Sequence, residues 1–224
     1  MTVPDRIGAV SHPAPSVAGE RILLVMLPGV NMAPQDFVDN GVIAGLHERP
    51  WPVDVVTAAA GAGFYLDGDI IERLEADVIA PALALGYRRL WFLGISLGGL
   101  GALLYARAHP GAVEGIILLA PFLGVPGTIA EVVRAGGLAQ WEPGAIALND
   151  GERQVLAWLK GHACAPGTYP TLLLGYGRSD RFAAGHALLA QELPAERVLV
   201  GEGGHDWQTW RGLWLEMLDH RPFG

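Results

Sequence analysis

Six short, almost uninterrupted apolar runs punctuate the chain, at 22–27 (ILLVML), 53–59 (VDVVTAA), 90–93 (LWFL), 115–120 (GIILLA), 171–174 (TLLL) and 197–200 (RVLV). Glycine or proline stands close to each end of these runs. A strand with one face in water alternates polar and apolar positions, whereas a strand covered on both faces does not. The runs therefore predict strands of a parallel sheet buried on both sides. Helical spacing fills the intervals. Residues 69–85 place Ile70, Ile71, Leu74, Val78, Ala82 and Leu85 three and four apart. Gly86 follows where a helix C-terminus favours glycine, and Pro81 predicts a kink. Residues 97–108 predict a helix of small residues that ends before Pro110. From about 206 to 219, Trp207, Trp210, Trp214 and Met217 form one stripe, read as core packing. Strands alternating with helices predict βαβ units. The expected fold is α/β, with a doubly wound, mostly parallel sheet flanked by helices.

Two stretches break the rhythm. Residues 1–20 carry Pro4, Pro13 and Pro15 without a clear period, and read as a short first strand or a loose arm. Residues 123–169 hold Pro126, Gly127, Gly136, Gly137, Pro143, Gly144 and Pro166 around two weak helical patterns, at 128–135 and 151–160. The length and apolar content of this stretch predict a small cap or lid inserted into a single domain, residues 1–224. A partly irregular crossover helix is the alternative.

Composition narrows the function class. The 224 residues fit one domain. Net charge is −8, from 15 basic and 23 acidic residues, and Lys160 is the one lysine. An acidic chain without a basic run argues against a nucleic-acid partner and against an anionic membrane surface. Cys164 is the one cysteine, so no internal disulfide can form. The N-terminal residues carry no apolar core of a signal peptide, and the longest uncharged run, 90–106, is too short and too glycine-rich for a span. A cytoplasmic location is the expectation.

Candidate chemistry centres on Ser96. It sits in Gly94-Ile95-Ser96-Leu97-Gly98, between a predicted strand and a predicted helix, the setting of a nucleophile elbow. A serine hydroxyl needs a base, and the base needs an orienting acid. In open α/β sheets, sites lie beyond the carboxyl ends of strands. Asp180 is the acid close behind strand 171–174, and His205 lies on a glycine-rich loop after strand 197–200. Taken singly, Asp180 reads equally as a helix cap and His205 as a loop histidine. Taken together, Ser96, Asp180 and His205 follow the chain order of a hydrolytic triad. Asp206 reads as a helix N-terminal residue, and the remaining histidines lie away from strand ends or inside helices. The turn Leu27-Pro28-Gly29-Val30-Asn31-Met32 offers the Val30 N–H as one oxyanion donor, with the Leu97 N–H as the other.

From Arg21 to about Met217 the chain resembles the α/β-hydrolase superfamily, through LPGVN, GISLGG, GRSD and GGHDW. Pro28 stands where that family often has histidine in its first turn. The compact size resembles small carboxylesterases and thioesterases. The resemblance implies hydrolysis of a small-molecule ester or acyl substrate through a covalent acyl-serine, without metal or cofactor. A thioesterase, an acyltransferase or a non-catalytic binding protein on the same fold are the alternatives. Proximity to strand ends suggests a pocket lined by Asn31, Met32, Phe64, Tyr65, Phe122, Leu123, Trp141 and Trp207.

Overall fold

A computed structural model describes residues 6–15, 18–162 and 169–223, so Cys164 and Pro166 lie outside the described residues. One sheet holds β1 (Ala9–His12), β2 (Ile22–Leu27), β3 (Val53–Ala58), β4 (Arg89–Ile95), β5 (Gly115–Leu119), β6 (Thr171–Gly177) and β7 (Val198–Gly201). Their order is β1-β3-β2-β4-β5-β6-β7. Every pair is parallel except β1 with β3. The apolar runs became strands because both faces are covered: all six residues of β2 and all five of β5 are buried. Residues 9–12, left open between strand and arm, form a short antiparallel edge strand that is largely exposed.

The helices are α1 (Pro34–Asp39), α2 (Val42–His47), α3 (Ala62–Asp67), α4 (Ile70–Leu74), α5 (Ala80–Ala84), α6 (Leu97–Ala108), α7 (Pro126–Arg134), α8 (Gly151–His162), α9 (Ala183–Gln191) and α10 (Trp207–Asp219). On one side, α2 packs against both α1 and α10, and α10 lies on β5, β6 and β7. Elsewhere α6 lies on β2, β4 and β5 and packs against α4 and α8. The Trp214 ring is fully buried in α10, and its Nε1–H donates to the Val42 carbonyl of α2 at 2.9 Å. The helical pattern at 69–85 is one continuous rod only in outline. A π-helical stretch, Glu75–Ile79, separates α4 from α5 just ahead of Pro81. Proline has no N–H to donate, and its ring displaces the carbonyl four residues back, so the hydrogen-bond pattern must shift locally.

Within 123–169, α7 packs on α9 and α8 packs on α6. Glu131 ties these pieces together, accepting from Trp141 Nε1–H at 2.9 Å and from Arg153 at 2.6 Å. One carboxylate is buried deep in the sheet among the described residues. Asp54 of β3 accepts from Arg21, from the Tyr87 hydroxyl at 2.6 Å and from the Ala14 N–H at 2.8 Å. Burial pushes this carboxyl up, but these donors outweigh it and hold it below its ordinary range.

The sheet order reverses at β2: β3 lies on one side of it and β4 on the other. Leu27 at the end of β2 stands opposite Gly94 of β4, Ile95 opposite Leu119 of β5, and Gly177 of β6 opposite Gly201 of β7. Carboxyl ends of successive strands thus form one rim, with a crevice where the order reverses.

Candidate active site

Ser96 follows β4 on that rim. Its backbone has φ 52° and ψ −114°, a conformation that costs a non-glycine residue about 1–3 kcal/mol. The surroundings hold it there. Its N–H donates to the Leu119 carbonyl at 3.1 Å, and its own carbonyl accepts from Phe122 at 2.8 Å and Gly99 at 3.0 Å. The glycines two residues either side are dictated by space. A Cβ on Gly94 would sit 2.5 Å from the Gly98 carbonyl oxygen, and one on Gly98 would overlap the Leu27 carbonyl at the end of β2.

Asp180 closes a tight turn after β6, its N–H donating to the Gly177 carbonyl at 3.0 Å. Its carboxylate is fully buried and engaged at both oxygens. Oδ1 accepts the Phe182 N–H at 2.8 Å, and Oδ2 lies 2.8 Å from His205 Nδ1. Burial pushes the Asp180 carboxyl up, but the hydrogen bonds from His205 and Phe182 prevail and keep it below its ordinary value. His205 lies on the loop between β7 and α10, and its Nε2 is 2.9 Å from Ser96 Oγ. Because an ionised carboxylate only accepts, the imidazole proton belongs on Nδ1, which leaves the Nε2 lone pair facing the serine hydroxyl. The next residue, Asp206, caps α10 by accepting from the Thr209 N–H at 2.9 Å.

Backbone contacts join the loop carrying Asp180 to the loop carrying His205. The Arg178 N–H donates to the Gly201 carbonyl at 2.8 Å, and the Ser179 N–H to the Gly203 carbonyl at 2.9 Å. Gly177 approaches Gly203 so closely that a Cβ would overlap the Gly203 carbonyl. Aromatic rings wall the imidazole: Phe182 and Trp210 meet it edge-on at 5.1 and 4.9 Å.

No protein-family model matches the sequence, and no curated protein matches it. Solved structures do match in shape. An S-formylglutathione hydrolase from Staphylococcus aureus superposes with a TM-score of 0.65 at 12% identity, over 98% of this chain and 99% of that one. The fluorophosphonate-binding serine hydrolase F of the same organism gives 0.64 at 14% identity, over 97% and 98%. A ferulic acid esterase gives 0.63 at 15% identity, over 96% and 97%. The chain has the α/β-hydrolase fold.

Within the α/β-hydrolase fold of this chain, a cavity of about 470 Å³ opens over Ser96 and His205. Met32, Phe122 and Trp207 line it, as do Val30 and Leu97. Leu97 is the first residue of α6, so its N–H has no partner within the helix. Val30 is half exposed, and its N–H has no backbone partner among the described residues. Five of the expected lining residues stand elsewhere. Leu123 lines an adjoining cleft rather than this cavity. Phe64 is buried in the core, and Tyr65 packs over Gly101 of α6. Trp141 is buried against Glu131, and Asn31, with φ 61°, makes the bend after β2 and points to solvent. Nearness to a strand end in sequence does not decide which way a side chain leaves its loop.

Phe182, Trp210, Arg181 and Asp206 line the cavity without having been singled out for it. Phe182 was legible by the rule that found Phe122, since it sits on the loop just after a strand. Trp210 belongs to the helical stripe, whose first turns reach the rim while Trp214 and Met217 stay in the core.

Near Asp180, His186 of α9 is fully buried. Its Nε2 donates to the Pro121 carbonyl at 2.9 Å, and Nδ1 is buried without a partner. Burial pushes this imidazole down to about 4. Among the described residues, no group of three or more histidine, cysteine, aspartate or glutamate side chains is arranged to hold a metal ion.

Proposed function

We propose that this chain is a serine hydrolase that cleaves a carboxylic ester of a small or acyl substrate through a covalent acyl-serine. The observation that carries this reading is the hydrogen-bond chain Asp180–His205–Ser96, with contacts of 2.8 and 2.9 Å, assembled from the carboxyl ends of three separate strands. Structural neighbours named as esterases and serine hydrolases support it.

Ser96 Oγ attacks the carbonyl carbon as its proton passes to His205 Nε2. Asp180 holds the Nδ1 proton in place and stabilises the imidazolium that forms. The Val30 and Leu97 N–H groups receive the negative charge that develops on the carbonyl oxygen, a contribution of about 3–4 kcal/mol per donor in comparable sites. His205 then protonates the departing alcohol. A water molecule, deprotonated by the same nitrogen, attacks the acyl-serine, and Ser96 regains its proton as the acid leaves. The cavity walls are mostly apolar, which suits an uncharged portion of the substrate around the scissile bond.

The experiment is labelling with a fluorophosphonate followed by peptide mapping, beside turnover of p-nitrophenyl acetate. Ser96 is expected to carry the label, and Ser96→Ala to lose both label and turnover while remaining folded. Wild-type turnover in Ser96→Ala would refute the scheme. Oxygen esters and thioesters of one acyl chain, compared side by side, distinguish an esterase from a thioesterase.

A further inference from the structure

A second cavity of about 390 Å³ adjoins the first, between α7 and α9. Arg181 and Phe182 line both cavities, so the two share a wall directly beside His205. The second cleft is apolar along Ile129, Val133 and Gly185. Its only charged lining residues are Arg134 at the end of α7 and Arg181.

The two arginines stand together at this cleft in a chain whose net charge is −8. Several arginines elsewhere meet carboxylates, as Arg89 meets Glu114, Arg153 meets Glu131, and Arg178 meets Glu202, whereas Arg88 and Arg107 donate to a backbone carbonyl and to Gln154. Among the described residues, neither Arg134 nor Arg181 forms an ion pair. The Arg134 Nε–H turns back to the Ala130 carbonyl at 3.2 Å. Arg181 lies over the Phe182 ring at 4.9 Å. Glu131, one helical turn before Arg134, is taken by Arg153 and Trp141. Two cations at one apolar cleft, neither in ion-pair contact with a carboxylate of the protein, complement a negatively charged ligand group.

We propose that the α7–α9 cleft is the distal half of the substrate site, taking an apolar chain that ends in a carboxylate. This rests on the ester-hydrolase reading and adds the substrate class. The scissile ester sits at Ser96, the chain passes Phe182, and its far carboxylate lies between Arg134 and Arg181.

The test compares p-nitrophenyl octanoate with the mono-p-nitrophenyl ester of suberic acid, which have the same chain length and differ in the terminal carboxylate. A second arm places the carboxylate on the alcohol side, comparing octyl acetate with 8-acetoxyoctanoate. In each arm the readout is the ratio of kcat/KM for the anionic over the neutral substrate, which cancels losses common to both. In one of the arms the ratio is expected to exceed one by about three- to tenfold at low ionic strength, as for two partly exposed charge contacts. It should collapse toward one in added salt, and in Arg134→Gln/Arg181→Gln. A ratio at or below one in both arms overturns the proposal, as does a preference that survives the double substitution. The salt series on the wild-type protein keeps the test decisive if the variant folds poorly. Turnover of p-nitrophenyl acetate separates the two levels. Without Ser96-dependent turnover, the ester reading fails and this one falls with it. With turnover and flat ratios, only the distal site fails.

Discussion

Acid should destabilise this fold through His186 before it reaches the carboxylates of the site. The Pro121 carbonyl can only accept, so it fixes the single imidazole proton on Nε2 and leaves Nδ1 bare. Protonating Nδ1 would bury a cation with no partner at that atom. The ring therefore titrates at about 4 in the fold against an ordinary 6.5. The sign follows from linkage. The unfolded chain binds the proton more readily, so stability is complete above 6.5 and declines as pH falls toward 4. At about 1.4 kcal/mol per pH unit, the loss comes to about 2 kcal/mol by pH 5 and about 3 kcal/mol by pH 4. His12, His47 and His162 are also held low, each mainly by burial, and shift stability in the same direction. The reference is therefore His186→Gln, which can still donate to Pro121 and does not titrate. Urea unfolding, followed by tryptophan fluorescence, measures both proteins at pH 7.5 and pH 5. The stability of wild type relative to the variant should fall by about 2 kcal/mol between the two. Parallel pH profiles would refute the reasoning and mean that His186 is solvated or paired.

Gly98→Ala should drive a methyl group into the Leu27 carbonyl, costing about 3 kcal/mol by urea denaturation and abolishing fluorophosphonate labelling. In Asp180→Asn, the His205 proton loses its acceptor charge, and kcat should fall about ten-thousand-fold with the thermal midpoint little changed. Trp214→Ala removes a fully buried ring and its bond to Val42, and should cost about 3–5 kcal/mol by denaturant unfolding.

The strands were readable because burial on both faces leaves a plain signal, as in ILLVML of β2. Asp54 within VDVVTAA illustrates what that signal hides. Its burial depends on Arg21, Tyr87 and Ala14, which are distant in sequence and meet only in the fold. The three residues at the strand ends were readable for a different reason: each belongs to a turn whose glycines record close backbone approach. The pocket walls carry no such record. Tyr65 and Phe122 look alike in sequence, yet one packs on α6 and the other faces Ser96. Side-chain direction in a loop depends on neighbours supplied by other elements. The π-helical stretch before Pro81 was visible only as a predicted kink, because proline announces a fault in a helix and not the form it takes.

The backbone bonds between 178–179 and 201–203 have a mechanical consequence. Asp180 and His205 ride on a single body formed by the ends of β6 and β7, while Ser96 rides on β4, with β5 between them. When the sheet twists or breathes, the Asp180–His205 contact is carried along intact. The deformation falls on the gap between His205 Nε2 and Ser96 Oγ. In the mechanism proposed above, the contact that opens and closes in each cycle is also the one that the scaffold leaves adjustable.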